Sequence, residues 1–184
     1  MVKIIKLVIL CLIISKASVS KEISCKENPG CENFPEIIKF EGIKFPLTMV
    51  QKDQGKKPTA ENYYIFHFKP LKDEPSPYII IIPTSGGITK SAAVTFERYK
   101  NKFLDKGFGV IILDQFYNTG IERGTLSQGP LASMGALSTI EYIKQNYPNL
   151  SNDKFGIMGG SRGGMTVLSL ASPLARENFI YKNV

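Results

Sequence analysis

The chain has 184 residues with a formal net charge of +7 and a single histidine, enough for one domain with a real core. Its lysines are scattered and form no basic stripe interleaved with aromatics, which argues against a nucleic-acid partner. One histidine and three cysteines leave little from which to build a metal site, so neither a metal nor another cofactor is expected.

The first twenty residues stand apart. Lys3 and Lys6 precede an apolar run from Leu7 to Ile14, and Ser18 and Ser20 flank Val19 in the manner of a cleavage site. The run is too short to cross a bilayer, so residues 1–20 read as a secretory signal peptide. Cys11 follows Leu10 rather than a small residue, which argues against lipid attachment, and no stable membrane anchor is expected after cleavage. Loss of Lys3, Lys6 and Lys16 would lower the charge from +7 to +4. The expected location is secreted or periplasmic. An oxidising compartment permits a disulfide between Cys25 and Cys31, closing a small loop over Pro29-Gly30 within a polar leader at 21–35.

A domain spanning 36–184 follows. Glu36 to Phe40 and Ile43 to Val50 read as two short strands whose apolar parity changes across Glu41-Gly42, which predicts an antiparallel hairpin. Gln51 to Ala60 is a solvated loop, and Asn62 to Lys69 is a strand with alternating faces. His67 lies mid-strand among aromatics and reads as a packed residue rather than a general base. Pro77 to Pro83 is apolar on both faces, as an interior strand of a parallel sheet should be. Thr84-Ser85-Gly86-Gly87 leads into a helix with Ala92/Ala93, Phe96, Tyr99 and Phe103 on its apolar side, closed by Lys106-Gly107. Phe108 to Leu113 is a second buried strand, ending at Asp114, and Gln115 to Gln128 is an irregular loop. The next helix begins near Pro130, carries Leu131, Met134, Leu137, Ile140, Ile143 and Tyr147 on one face, and stops at Pro148. From Pro77 onward strand and helix alternate. That rhythm predicts an α/β fold, a mostly parallel sheet covered by helices on both faces.

The last strand, Lys154 to Met158, runs into Gly159-Gly160-Ser161-Arg162-Gly163 and then into the apolar helix Gly164 to Ala171. A serine at the apex of such a turn is strained and exposed, and the flanking glycines let strand and helix approach closely. The helix N-terminus beside the hydroxyl favours negative charge. The helix itself reads as too apolar for a surface.

Three segments together carry a resemblance. They are the serine turn Gly159 to Gly164, the glycine loop Pro83 to Gly87 after an apolar strand, and Leu113-Asp114-Gln115-Phe116-Tyr117 running on to Glu122-Arg123-Gly124. Over roughly residues 36–180 the chain resembles an α/β-hydrolase of the dienelactone hydrolase-like group, although that enzyme itself carries cysteine where this chain has Ser161. The resemblance implies acyl transfer through a covalent ester on Ser161, with a small ester-like molecule as substrate. It implies an oxyanion hole from the backbone N–H of Arg162 and a second donor at Ser85, Gly86 or Gly87. Asp114 precedes the serine turn, whereas the acid of this fold follows a later strand. Asp114 is therefore expected to shape the pocket by pairing with Arg162 or Arg123. From Gly164 to Val184 there is no Asp or His, and Glu177 is the only carboxylate. The resemblance places the acid and histidine further on, so the chain reads as the N-terminal part of a hydrolase that stops after the elbow helix. The alternative is an exported, non-catalytic protein of the same fold that binds a ligand or partner.

Overall fold

The computed structural model describes residues 34–35, 37–42, 62–115 and 128–172. The leader with Cys25 and Cys31, the segment Ile43 to Val50, Arg123 and Glu177 lie outside the described residues. Among the described residues five strands and three helices follow one another as β1 (Ile37–Glu41), β2 (Asn62–Phe68), β3 (Ser76–Ile82), α1 (Lys90–Leu104), β4 (Gly109–Leu113), α2 (Gln128–Asn146), β5 (Ser151–Gly159) and α3 (Arg162–Ala171). They form one sheet in the order β1-β2-β4-β3-β5.

The β-branched run Ile79 to Ile82 holds the centre. It pairs in parallel with β4, Ile80 facing Ile111, and with β5, Ile80 facing Ile157. A strand with parallel neighbours on both sides and helices above and below has no polar face, and Ile80, Ile81 and Ile82 are at most 1% exposed. Burying each such side chain contributes about 1.5–3 kcal/mol. The strand period of two sends Tyr78, Ile80, Ile82, Ile111 and Leu113 to one face, where they meet Ala132, Leu137, Ile140 and Ile143 of α2. Ile81, Val110 and Ile112 go to the other face and meet Ala93 and Phe96 of α1. The expected cover on both faces is observed.

Two antiparallel strands extend the sheet on the β4 side. β2 pairs with β4, and β1 with β2, Phe40 facing Tyr63. The expected N-terminal antiparallel hairpin is observed as β1 with β2, while Ile43 to Val50, read as its second strand, lies outside the described residues.

Helix ends follow local chemistry. Thr89 caps α1, its Oγ1 accepting from the Ala92 N–H at 3.2 Å. Gly107, at φ 82°, turns the chain so that the Phe108 N–H reaches the Phe103 carbonyl at 3.0 Å. On α1 the buried stripe is Ala93, Phe96 and Lys100, while Tyr99 is 38% exposed, so Tyr99 does not share the apolar face expected of it. Lys100 takes that place because its long stem packs inward. Its Nζ donates to Glu97 Oε1 at 2.6 Å and stands 5.0 Å from the Phe68 ring centroid.

α3 corrects a second expectation. Despite its apolar sequence it buries Gly163 and Thr166, and Met165 and Leu168 are 64% and 72% exposed. β5, read as an interior strand, has β3 as its strand partner among the described residues and is mostly half-buried.

Candidate active site at the serine turn

The chain leaves β3 for α1 on one face, and leaves β5 for α3 on the other, where α3 packs against α2. Adjacent parallel strands whose following helices lie on opposite faces open a crevice at their carboxyl ends, the general ligand site of open α/β sheets. Here that position falls where the Thr84–Gly87 loop meets the Ser161 turn.

Ser161 has φ 50° and ψ −117°, a sparsely populated conformation for a residue with a Cβ. It stands at the N-cap of α3, is exposed, and makes no side-chain capping bond. The turn is closed behind it by the Gly163 N–H to the Gly160 carbonyl at 2.9 Å and the Met165 N–H to the Ser161 carbonyl at 3.1 Å. Two glycines are sterically required. A Cβ at Gly159 would strike the backbone of Gly163, and one at Gly163 would strike the carbonyl oxygens of Ile82 and Pro83. The bend is therefore pressed onto the end of β3, which holds the strained serine in place. Arg162 follows as the first residue of α3 and is half-buried.

Of the three loop residues expected to supply a second oxyanion donor, Gly87 is committed elsewhere. Its N–H closes a turn onto the Thr84 carbonyl at 2.9 Å, at φ 70°. The Gly86 N–H points toward Thr84 Oγ1 at 3.4 Å, a long contact. Ser85 and Gly86 form the tip of this turn and are half-buried.

Asp114 is 1% exposed at the carboxyl end of β4, and its N–H donates to the Tyr64 carbonyl at 2.9 Å. Beside it Gln115, also 1% exposed, donates from Nε2 to the carbonyls of both Pro83 and Thr84 at 3.3 Å. In the sequence Gln115 stands out only as part of the Leu113–Tyr117 motif. Its role depends on the β3–β4 register, which no local pattern encodes.

His67 lies away from this edge. Its Nε2 is 3.1 Å from the Tyr78 hydroxyl, and its ring meets Tyr147 edge-on at 4.5 Å. His67 pairs with Ile111, which pairs with Ile80, two residues short of the Ile82 level where Gly159 leads into the serine turn. β4 and β3 lie between β2 and β5, so about 14 Å of sheet width separates those two strands. Burial, with Lys69 nearby, pushes the imidazole pKa down to about 4, and burial together with Tyr147 pushes the Tyr78 phenol up to about 12. His67 is a packed residue, as its aromatic neighbours in the sequence imply. Among the described residues no cluster of His, Cys, Asp and Glu is arranged to hold a metal ion.

Neither a protein-family model nor a curated protein matches the sequence. Solved structures do match. A lipase/esterase from Lactobacillus plantarum aligns at 16% identity and TM-score 0.53, over 79% of this chain and 55% of that one. An α/β serine hydrolase without a lid from Xanthomonas campestris aligns at 17% identity and TM-score 0.46, over 61% of this chain and 51% of that one. An α/β serine hydrolase homologue from Coxiella burnetii aligns at 15% identity and TM-score 0.46, over 73% and 56%. The chain thus spans about half the length of these structures. Identity this low bears on architecture alone, and with the sheet order, the crossovers and the strained serine bend it establishes that the described part of the chain has the α/β-hydrolase fold.

Proposed function

We propose that the protein is an exported serine hydrolase of carboxylesterase type, related to the dienelactone hydrolase-like group, that acts on a small ester-like substrate through an acyl-enzyme on Ser161. The observation that carries this reading is the backbone of Ser161. A non-glycine residue held at φ 50° and exposed, with its side chain left out of capping, is strain maintained at the mouth of a ligand crevice. In the proposed reaction the Ser161 hydroxyl attacks the ester carbonyl and loses its proton to a base, and the alkoxide leaving group departs with a proton. Charge on the carbonyl oxygen falls to the Arg162 N–H and to a donor at the Ser85–Gly86 tip. Water then releases the acid. Asp114 is assigned a pocket-shaping ion pair with Arg162 or Arg123. Asp114→Asn should then lower activity, and full retention of folding and activity would remove it from the site.

The sequence's one histidine is His67, packed on β2 with β4 and β3 between it and β5, so it is not assigned as the base for Ser161. The remoteness of His67 equally favours a second reading, a non-catalytic ligand- or partner-binding protein of the same fold. Fluorophosphonate labelling separates them. Protein carrying any in-frame downstream sequence should label at Ser161 and the Ser161→Ala variant should not; absence of label in that wild-type protein favours the binding protein. Export is supported by the composition of residues 1–20 and would be checked by the N-terminal sequence of the mature protein.

A further inference from the structure

Three layers meet at the carboxyl end of the sheet. Pro83 and Thr84 form the middle one. On one side the serine turn presses against them, with Gly163 under the carbonyls of Ile82 and Pro83 and a Cβ at Gly160 coming within 3.6 Å of Thr84 Cγ2. On the other side lies Gln115. Both of its partners are carbonyl oxygens, which only accept, so the amide nitrogen must face them and the flipped carboxamide is excluded. Its Oε1 is then buried with no hydrogen-bond partner among the described residues. A buried amide oxygen left unsatisfied opposes folding, so two bonds from the nitrogen are kept at the expense of the oxygen. The Thr84 carbonyl also accepts from the Gly87 N–H, so one atom joins Gln115 to the turn whose tip is Ser85–Gly86.

We infer that Gln115 is a positioning residue: it clamps the Pro83–Thr84 carbonyls against the Ser161 bend and thereby fixes the loop tip opposite the serine hydroxyl. This deepens the hydrolase reading and rests on it. Gln115 acts through the loop and touches no reacting atom. A donor held in advance where charge develops acts on the transition state more than on the bound substrate, so loss of the clamp should appear in kcat and leave KM nearly unchanged.

The test uses protein carrying any in-frame downstream sequence and compares wild type with Gln115→Met, which keeps length and removes both donors, and with Gln115→Asn, which keeps the donor on a shorter stem. Hydrolysis of p-nitrophenyl acetate and amide hydrogen exchange at Gly87 are read in parallel, with thermal unfolding as the control for folding. The expected result is a fall in kcat of about tenfold to a hundredfold in Gln115→Met at constant KM, smaller in Gln115→Asn, with Gly87 exchange accelerated in the same order. Unchanged kcat and unchanged Gly87 exchange in folded Gln115→Met would overturn the inference, as would a loss confined to KM. If wild type neither turns over ester nor labels at Ser161, the hydrolase reading fails. Gly87 exchange then decides the clamp alone: acceleration keeps it, and no change removes it. If Gln115→Met does not fold, Gln115→Asn carries the same comparison.

Discussion

Ser161 and His67 are both held against their intrinsic preferences, and each leads to a measurable consequence. At Ser161 the cost lies in the backbone, on the order of 1–3 kcal/mol for a residue with a Cβ at φ 50°. Ser161→Ala keeps that strain, whereas Ser161→Gly relieves it while adding unfolded-chain entropy. Ser161→Gly should therefore exceed Ser161→Ala in stability by about 1 kcal/mol in urea unfolding. Equal stabilities would place the bend outside the strained region. At His67 the cost is desolvation. The folded imidazole has a pKa of about 4 against 6.5 in the unfolded chain, so between those values the unfolded state binds more protons. Stability is complete above about pH 6.5 and declines as pH falls toward 4, by about 3 kcal/mol in all. His67→Gln removes the titration, and its unfolding free energy should show that much less loss between pH 7 and pH 4. The serine bend was visible in the sequence because glycine spacing and a strand–helix junction are local. The clamp by Gln115 was not, because its partners Pro83 and Thr84 are distant in the chain and adjacent only through strand register.

Among the elements, periodicity located every described helix and strand to within a few residues and gave the inner face of α2 correctly, and it erred on burial at Tyr99 of α1 and along α3. On α1 the positions Ala93, Phe96 and Lys100 form the inner stripe, and a lysine is invisible to a hydrophobic pattern even when its methylenes are buried. On α3 the apolar sequence implied burial, yet Met165 and Leu168 face outward, because burial requires a neighbour and composition does not supply one. The start of α1 offers a cleaner test. Thr89 Oγ1 satisfies the Ala92 N–H, so Thr89→Ala should lower stability by about 1 kcal/mol. The same cap follows the glycine turn directly, so that loss should be accompanied by faster exchange at Gly87. A Thr89→Ala protein as stable as wild type would mean that the helix start is held from the sheet alone.

Over the whole molecule, the two crossovers leave α1 on one face and α2 with α3 on the other, and this division brings the Thr84–Gly87 loop and the Ser161 bend to the switch point at the carboxyl end of the sheet. Alternation of strand and helix predicted the layers. It did not predict that β2 would bring β1 onto the β4 flank, since antiparallel additions leave no mark on a βαβ rhythm. The other flank ends in β5, beside the exposed side of α3. In the 184-residue chain Leu168→Lys should change unfolding free energy by less than about 0.5 kcal/mol, as surface substitutions do. A loss well beyond that would show that Leu168 is covered in solution. The path of the chain has a further consequence for synthesis. β3 meets β4 once α1 has been made, but its remaining flank waits for β5, with α2 still to emerge in between. During vectorial synthesis the central, isoleucine-rich strand therefore stands half-zipped on the ribosome, and that interval is when a nascent chain of this topology is most exposed to chaperones and to misassociation.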